Sequence, residues 1–327
     1  MKVNHIGLLG IFLMAFSTST TAQIDISGSW QSILHQDFQT RFTGANQADY
    51  LGIPLNAAAR DAALSFALAN QQQLYRQCDP YPAHYLVLGG GFGFQIRPVL
   101  DPITREVIAW TIGSWVDRAD FTIWLDGRPH PSESALHTFI GFTTGHWEGD
   151  TLVATTTNIR DSVLTRNGIP NSSSETMTTY ISKHADLLTI TVVIQDPVYL
   201  TEPYVVTRTW RFDPEMLPPT TWSFCMPEEE SPKLADGREV AAHIPEKNPN
   251  LMDMPKRYHI PLEAALGGAQ TMYPEFQNKL RQTYTPPAEY CKADCCGSGF
   301  ASALFEKTVL KCDNGFTFSD IRGTTVP

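Results

Sequence analysis

The chain has few charged residues and few long apolar segments, and each shortage excludes a class of protein. Charged residues make up 18% of its 327 residues, and acidic side chains outnumber basic ones, giving a formal net charge of −10. An acidic chain repels phosphate backbones, so nucleic acid is not an expected partner. Beyond the N-terminus, no segment approaches the roughly 20 apolar residues that a membrane-spanning helix needs.

Motifs of several common enzyme classes are also missing. The sequence contains no Gly-x-Ser-x-Gly, no His-Glu-x-x-His and no phosphate-binding P-loop. The glycine run at 89–93 lies between strand-like segments rather than before a helix, which favours a tight connection over a phosphate cradle. His184, His243 and His259 are scattered without ligand spacing, so we predict no histidine-based metal site. We also expect the protein to need no cofactor.

The N-terminus has the composition of a secretory signal peptide. Lys2 supplies a positive charge, residues 6–16 form a short apolar run, and Thr20 and Ala22 occupy plausible −3 and −1 cleavage positions. The run is too short to span a bilayer, although an uncleaved anchor is the alternative. We therefore predict a signal peptide over 1–22, and a periplasmic or secreted protein without a membrane span after cleavage.

The six cysteines fit an oxidising compartment, where disulfides persist. Cys295 and Cys296 are adjacent, and the chain has no Cys-x-x-Cys pair, so disulfides are favoured over zinc. We expect one bridge between Cys78 and Cys225 and two bridges within the C-terminal tail. The tail cysteines are Cys291, Cys295, Cys296 and Cys312.

The pattern of apolar residues predicts a mainly β protein. A helix is expected near 56–77, where Asn56 can cap a segment rich in Ala, Leu and Gln. Elsewhere up to residue 212, apolar and polar residues alternate between frequent turn signals, which is typical of strands. We predict an antiparallel barrel or curved sheet over 23–212, with that helix as an N-terminal insert.

The texture changes after residue 212, where proline-rich stretches suggest loops wrapping the surface. Within 213–290 we expect wrapping loops, with short helices over 262–266 and 273–284. The remaining segment, 291–327, is expected to be a small extension stapled by its cysteines.

Asp126, Arg128, His130 and His137 form the most interesting polar group, because they lie within a twelve-residue stretch. Imidazole is the natural proton shuttle near neutral pH, and a nearby carboxylate can orient it and raise its pKa. We predict catalytic histidines at 130 and 137, with Asp126 orienting the imidazole and Arg128 steadying negative charge. The alternative is an ordinary surface turn, since Asp-Gly is a hairpin signal and prolines flank His130.

Aromatic side chains near this group are candidate substrate contacts. Trp124, Trp147 and Tyr204 are the three we select. Trp147 and Glu148 precede a Gly-Asp dipeptide, so this stretch is better interpreted as a hairpin turn. The alternative is that Glu148 acts as a general acid or base.

Two resemblances support export and a barrel. The Gly-Ser-Trp at 28–30 resembles the Gly-x-Trp of lipocalin-like (calycin) barrels, in which the tryptophan plugs one end. Segments 126–131, 145–153 and 196–204 resemble a widespread group of exported bacterial hypothetical proteins with the pattern DGRxHP…WEGDTLVV…DPxxYTxPW. Tyr204 departs from that pattern, which has Trp there. The resemblance implies a β-barrel and no particular activity.

These observations favour a cofactor-independent enzyme that uses His/Asp acid–base chemistry on a small hydrophobic or cyclic substrate. Isomerase, cyclase, lyase and hydrolase chemistry all fit. One alternative is a non-catalytic periplasmic barrel that binds a small ligand. The other is a carbohydrate lyase or hydrolase that stacks sugars on Trp124 and Trp147.

Overall fold

The computed structural model describes residues 24–33, 46–50, 52–67, 79–88, 93–114, 120–216 and 242–285. The strands in this part of the chain are β1 Gly28–Ser32, β2 Phe94–Leu100, β3 Val107–Ser114, β4 Phe121–Trp124, β5 Phe142–Glu148, β6 Thr151–Thr157, β7 Ser162–Val163, β8 Pro170–Asn171, β9 Thr176–His184, β10 Leu187–Gln195 and β11 Tyr204–Phe212. Nine of them close a barrel in the order β1-β11-β10-β9-β6-β5-β4-β3-β2, and β7 pairs with β8 separately. The predicted β-barrel is confirmed.

Strict alternation of side chains builds the barrel wall. On β10, Leu188, Ile190, Val192 and Ile194 are all fully buried, whereas the residues between them are more exposed. Their partners across the neighbouring strands share the same face, so the register defines continuous inward rows. These rows hold most of the hydrophobic core.

The barrel is mixed rather than purely antiparallel, so that part of the prediction is wrong. β4 and β5 run parallel, with Ile123 opposite Thr143 and Trp124 opposite Thr144. Parallel neighbours need a crossover connection, because the second strand must begin at the end where the first one began. Residues 125–141 make this crossover and return along the outside of the wall.

The described helices are short. They are α1 Ala57–Ser65, α2 Tyr85–Leu88, α3 Asp253–Tyr258, α4 Leu262–Ala265 and α5 Pro274–Thr283, with 3₁₀ turns at Pro245–Lys247 and Ala269–Met272. Asn56 caps α1 as predicted, accepting a hydrogen bond from the Ala59 amide. The helix ends at Ser65 because Phe66 adopts an extended conformation, earlier than the predicted boundary at 77. The short helices expected near 262–266 and 273–284 are present as α4 and α5.

One end of the barrel, here named the turn end, is closed by aromatic side chains. Trp30 is 0% exposed, donates its Nε1–H to the Ile26 carbonyl at 3.0 Å, and packs edge-on against Phe212. Trp210 and Phe94 pack beside it, with ring centroids 5.0 Å apart. The β5–β6 and β9–β10 connections are two-residue turns at this end.

The opposite end, named the loop end, receives the helical segments. Arg208 lies on an inward row of β11, and its Nε–H donates to the Val87 carbonyl in α2 at 3.1 Å. α2 therefore lies on the inner side of the wall. The Ala83 amide, just before α2, donates to the Phe139 carbonyl of the crossover at 2.9 Å.

The predicted signal peptide and disulfides fall outside the part of the chain that the structure describes. The signal peptide over 1–22 and all six cysteines lie outside the described residues. No helix within the described ranges is long and apolar enough to cross a membrane.

Candidate functional site

Most of the predicted catalytic group lies on the outer face of the wall, where the crossover covers β4, β5 and β6. Alternation turns Ile123, Thr143 and Thr156 inward, so their neighbours Trp124, Thr144 and Thr157 point outward. We name the outer-face site by its six members. They are Trp124, Asp126, Arg128, His130, Thr144 and Thr157.

His130 is held between two threonine hydroxyls of the wall. Its Nε2 lies 2.7 Å from Oγ1 of Thr144, and its Nδ1 lies 2.8 Å from Oγ1 of Thr157. Phe142 packs edge-on against the imidazole, with 5.5 Å between ring centroids. The two distances to the threonine hydroxyls are within the usual range for a hydrogen bond, so the orientation of the imidazole ring is fixed.

The direction of the two hydrogen bonds of His130 follows from the contacts that Thr157 makes with Asn158, and Asn158 with Ser132. Asn158 donates from Nδ2 to the Ser132 carbonyl, which can only accept, and so presents its Oδ1 to Thr157. The Thr157 hydroxyl donates its single proton to that oxygen and accepts from Nδ1–H of His130. In the neutral imidazole, Nε2 is therefore the acceptor and receives the Thr144 hydroxyl proton.

The surroundings of His130 favour that neutral form. Burial lowers the pKa of His130 from its usual 6.5, because the imidazolium loses hydration beneath the crossover. This is opposite to the rise expected from a neighbouring carboxylate. An imidazole that is neutral at pH 7 and aimed at a hydroxyl is equipped to accept a proton.

Asp126 binds Arg128 rather than a histidine. Nε of Arg128 donates to Oδ1 of Asp126 at 2.8 Å, and Nη2 donates to Oδ2, which makes a two-pronged contact. Hydrogen bonding to Arg128 lowers the pKa of Asp126, so the carboxylate is ionised at neutral pH. The guanidinium lies over Trp124, 3.5 Å from the ring centroid, where cation–π attraction adds to the ion pair.

The remaining predicted residues lie elsewhere. His137 is bound by backbone carbonyls, with Nδ1 3.1 Å from the Ile159 oxygen and Nε2 2.9 Å from the Glu133 oxygen. Trp147 and Tyr204 are half-buried on inward rows, and so lie on the other side of the wall from Trp124. Trp124 and Trp147 therefore do not line one groove.

Glu148, the alternative general acid, is exposed at the turn end. Its Oε1 lies 2.9 Å from Nε2 of His146, and both side chains are largely solvated. A surface pair of this kind contributes little to stability.

Sequence reasoning missed the two threonines and Asn158. The signal was present in the alternation of β5 and β6, which places every second threonine on the side that faces the crossover. What the sequence does not show is that the crossover returns His130 to that side.

A second polar group lies inside the barrel, on inward rows of β3, β5, β6, β9 and β11. Thr179 is 0% exposed, and among the described residues its hydroxyl and the buried Nε1 of Trp110 have no hydrogen-bond partner. Thr143 and Thr156 bond each other at 2.9 Å, and Arg208 is 6% exposed. The inward rows of the described strands carry no Asp or Glu.

A third polar group, a buried histidine–glutamate pair, anchors α2 at the loop end. Nδ1 of His84 lies 2.9 Å from Oε1 of Glu175, Nε2 lies 3.1 Å from the Val163 carbonyl, and both side chains are 0% exposed. Oε2 of Glu175 has no partner among the described residues. With no solvent access, this pair has the character of a structural contact.

Comparison with known proteins finds no matching family model, curated protein or solved structure. The described part of the chain contains no group of three or more His, Cys, Asp or Glu side chains placed to hold a metal ion.

Proposed function

We propose that the chain is an exported, cofactor-independent acid–base enzyme that acts on a small hydrophobic or cyclic substrate at the outer-face site. The observation that supports this most is the 2.7 Å contact between Nε2 of His130 and the Thr144 hydroxyl. Its direction is set by the relay through Thr157 and Asn158. A positioned base oriented by a third group is the arrangement that proton-transfer enzymes share.

Each member of the site has a role in this proposal. His130 accepts a proton at Nε2, either from substrate that displaces the Thr144 hydroxyl or through that hydroxyl. Thr157 keeps the proton of the resting imidazole on Nδ1. Arg128 stabilises negative charge that develops on the substrate, and Trp124 and Asp126 hold its guanidinium in place.

The pH dependence of proton abstraction tests the proposal. With 5-nitrobenzisoxazole, which opens when a base removes one proton, we expect kcat/KM to rise with pH and to level off before neutrality. The base form is active, and burial lowers the pKa of His130 from 6.5, so activity is lost only as pH falls below that value.

Free imidazole at the same pH values is the control for that profile. Its rate follows the titration of an unburied ring, so the midpoint for the enzyme must lie at lower pH. A profile without a titrating step at a pH below the midpoint of free imidazole would contradict the proposal.

A second candidate function is a lipocalin-like barrel that binds a small ligand inside. The unpartnered Thr179 hydroxyl and Trp110 Nε1 inside the barrel support it, because a buried polar group without a hydrogen-bond partner is destabilising. The Thr179 hydroxyl and the Trp110 Nε1–H would suit a ligand with acceptor oxygens, such as a carboxylate or sulfonate.

Thr179→Val separates this candidate from simple core packing. We expect the substitution to weaken binding of 8-anilinonaphthalene-1-sulfonate, measured by fluorescence titration, while raising the melting temperature of ligand-free protein. The stability gain follows because valine removes a buried hydroxyl whose unmet hydrogen bond costs about 1–3 kcal/mol. Val192→Thr is the control, because it adds a hydroxyl at the inward-facing register partner of Thr179 while keeping the shape of the side chain. Unchanged binding in Thr179→Val would exclude Thr179 from a ligand site.

A further inference from the structure

The Thr144 hydroxyl has the features of a nucleophile. It lies on a fixed strand, and its proton is directed at Nε2 of His130, which burial keeps neutral. Thr157 in turn orients the imidazole through Nδ1. Thr144, His130 and Thr157 thus take the positions of nucleophile, base and orienting group.

A positive charge lies on the same face. Trp124 is the register partner of Thr144 in the parallel pair, both side chains point outward, and the Arg128 guanidinium covers the Trp124 ring. Asp126 binds Nε and Nη2 of Arg128, and within the described residues Nη1 makes no hydrogen bond. Because Arg128 covers Trp124, which is paired with Thr144, this N–H group lies on the face where negative charge would develop on an oxygen bound at Thr144.

From this geometry we propose that the outer-face site is an esterase site in which Thr144 forms a covalent acyl intermediate. The inference rests on the proposed function and narrows it to a substrate class, small carboxylic esters. Apolar contact with the edge of Trp124 and with Phe142 favours short acyl groups without charge.

The reaction balances without a cofactor or co-reactant other than water. The Thr144 O–H proton moves to Nε2 of His130 as Oγ1 bonds to the ester carbonyl carbon, and the carbonyl electron pair moves onto oxygen beside Arg128. As this intermediate collapses, the bond to the leaving alcohol breaks and the Nε2 proton transfers to the alcohol oxygen. Water then attacks the Thr144 ester by the same steps, which releases the carboxylic acid and restores the hydroxyl.

Full-length protein mixed rapidly with p-nitrophenyl acetate tests this step. We expect a burst of p-nitrophenolate equal to the amount of enzyme, and intact mass spectrometry of acid-quenched samples should show one added acetyl group. Peptide mapping should place it on Thr144. Thr144→Ala should abolish the burst and the adduct, and Thr144→Ser, which keeps the hydroxyl, should restore both. Circular dichroism melts of both variants show whether they are folded.

The outcomes separate this inference from the proposed function. Acetylation of lysine side chains alone, or hydrolysis that persists in folded Thr144→Ala, would overturn Thr144 as the nucleophile. If opening of 5-nitrobenzisoxazole still followed the titration of His130, the acid–base proposal would stand without it. If folded wild-type protein showed neither the p-nitrophenolate burst nor the opening of 5-nitrobenzisoxazole, both the esterase inference and the acid–base proposal would be overturned.

Discussion

His130→Gln is expected to lower kcat/KM for 5-nitrobenzisoxazole by roughly 10²–10⁴-fold, the usual contribution of a positioned general base. Glutamine can still donate to Thr157 and contact Thr144, so the crossover stays anchored. Its amide, however, does not accept a proton near neutral pH. Steady-state kinetics at the plateau of the pH profile measure the loss.

His146→Gln is the matched control for that experiment. His146 lies on β5 two residues after Thr144 and points outward on the same row, but its partner is the exposed Glu148. We expect its kcat/KM to stay within a factor of two of wild type, a margin that corresponds to about 0.4 kcal/mol. Equal losses in the two variants would show that the measured activity does not arise at His130.

Removing one partner of the buried pair at the loop end is expected to have the largest effect on stability. His84→Leu leaves the Glu175 carboxyl 0% exposed and without the contact to Nδ1. A buried polar group that loses its hydrogen-bond partner typically destabilises a fold by about 1–3 kcal/mol. Urea denaturation followed by tryptophan fluorescence measures the change.

The double variant His84→Leu/Glu175→Leu is the informative companion. Replacing both partners by apolar side chains removes the unpartnered buried carboxyl as well as the contact, so most of the lost stability should return. A double variant as unstable as the single one would show that the Val163 carbonyl contact or side-chain shape matters more than the contact between His84 and Glu175.

The architecture could be predicted from the sequence wherever alternation alone decides it. The row Leu188, Ile190, Val192 and Ile194 is buried as its pattern predicts, and Trp30 is buried at one end of the barrel. The parallel pair of β4 and β5 was missed because alternation is identical in parallel and antiparallel strands. The direction of a strand depends on its connection, and residues 125–141 resemble a turn when considered locally.

The candidate site was predictable only in its composition. Asp126, Arg128 and His130 lie close in sequence, which suggested that the carboxylate orients the imidazole. In the structure, Asp126 binds the guanidinium of Arg128 instead of the imidazole, because a two-residue separation across a turn suits a two-pronged contact. The actual partners of His130 lie 14 and 27 residues away on β5 and β6, and no local pattern shows them.

The short strand β1 determines when the barrel can be completed. Trp30 pairs on one side with Phe94 and on the other with Phe212, so closure joins the first described strand to the last described strand. Contacts between such distant segments form late, because a long loop must be ordered before they are gained. Until then β2 and β11 remain open sheet edges that can pair with other chains. Folding of this protein is therefore expected to be slow, and sensitive to protein concentration until strand β1 has docked.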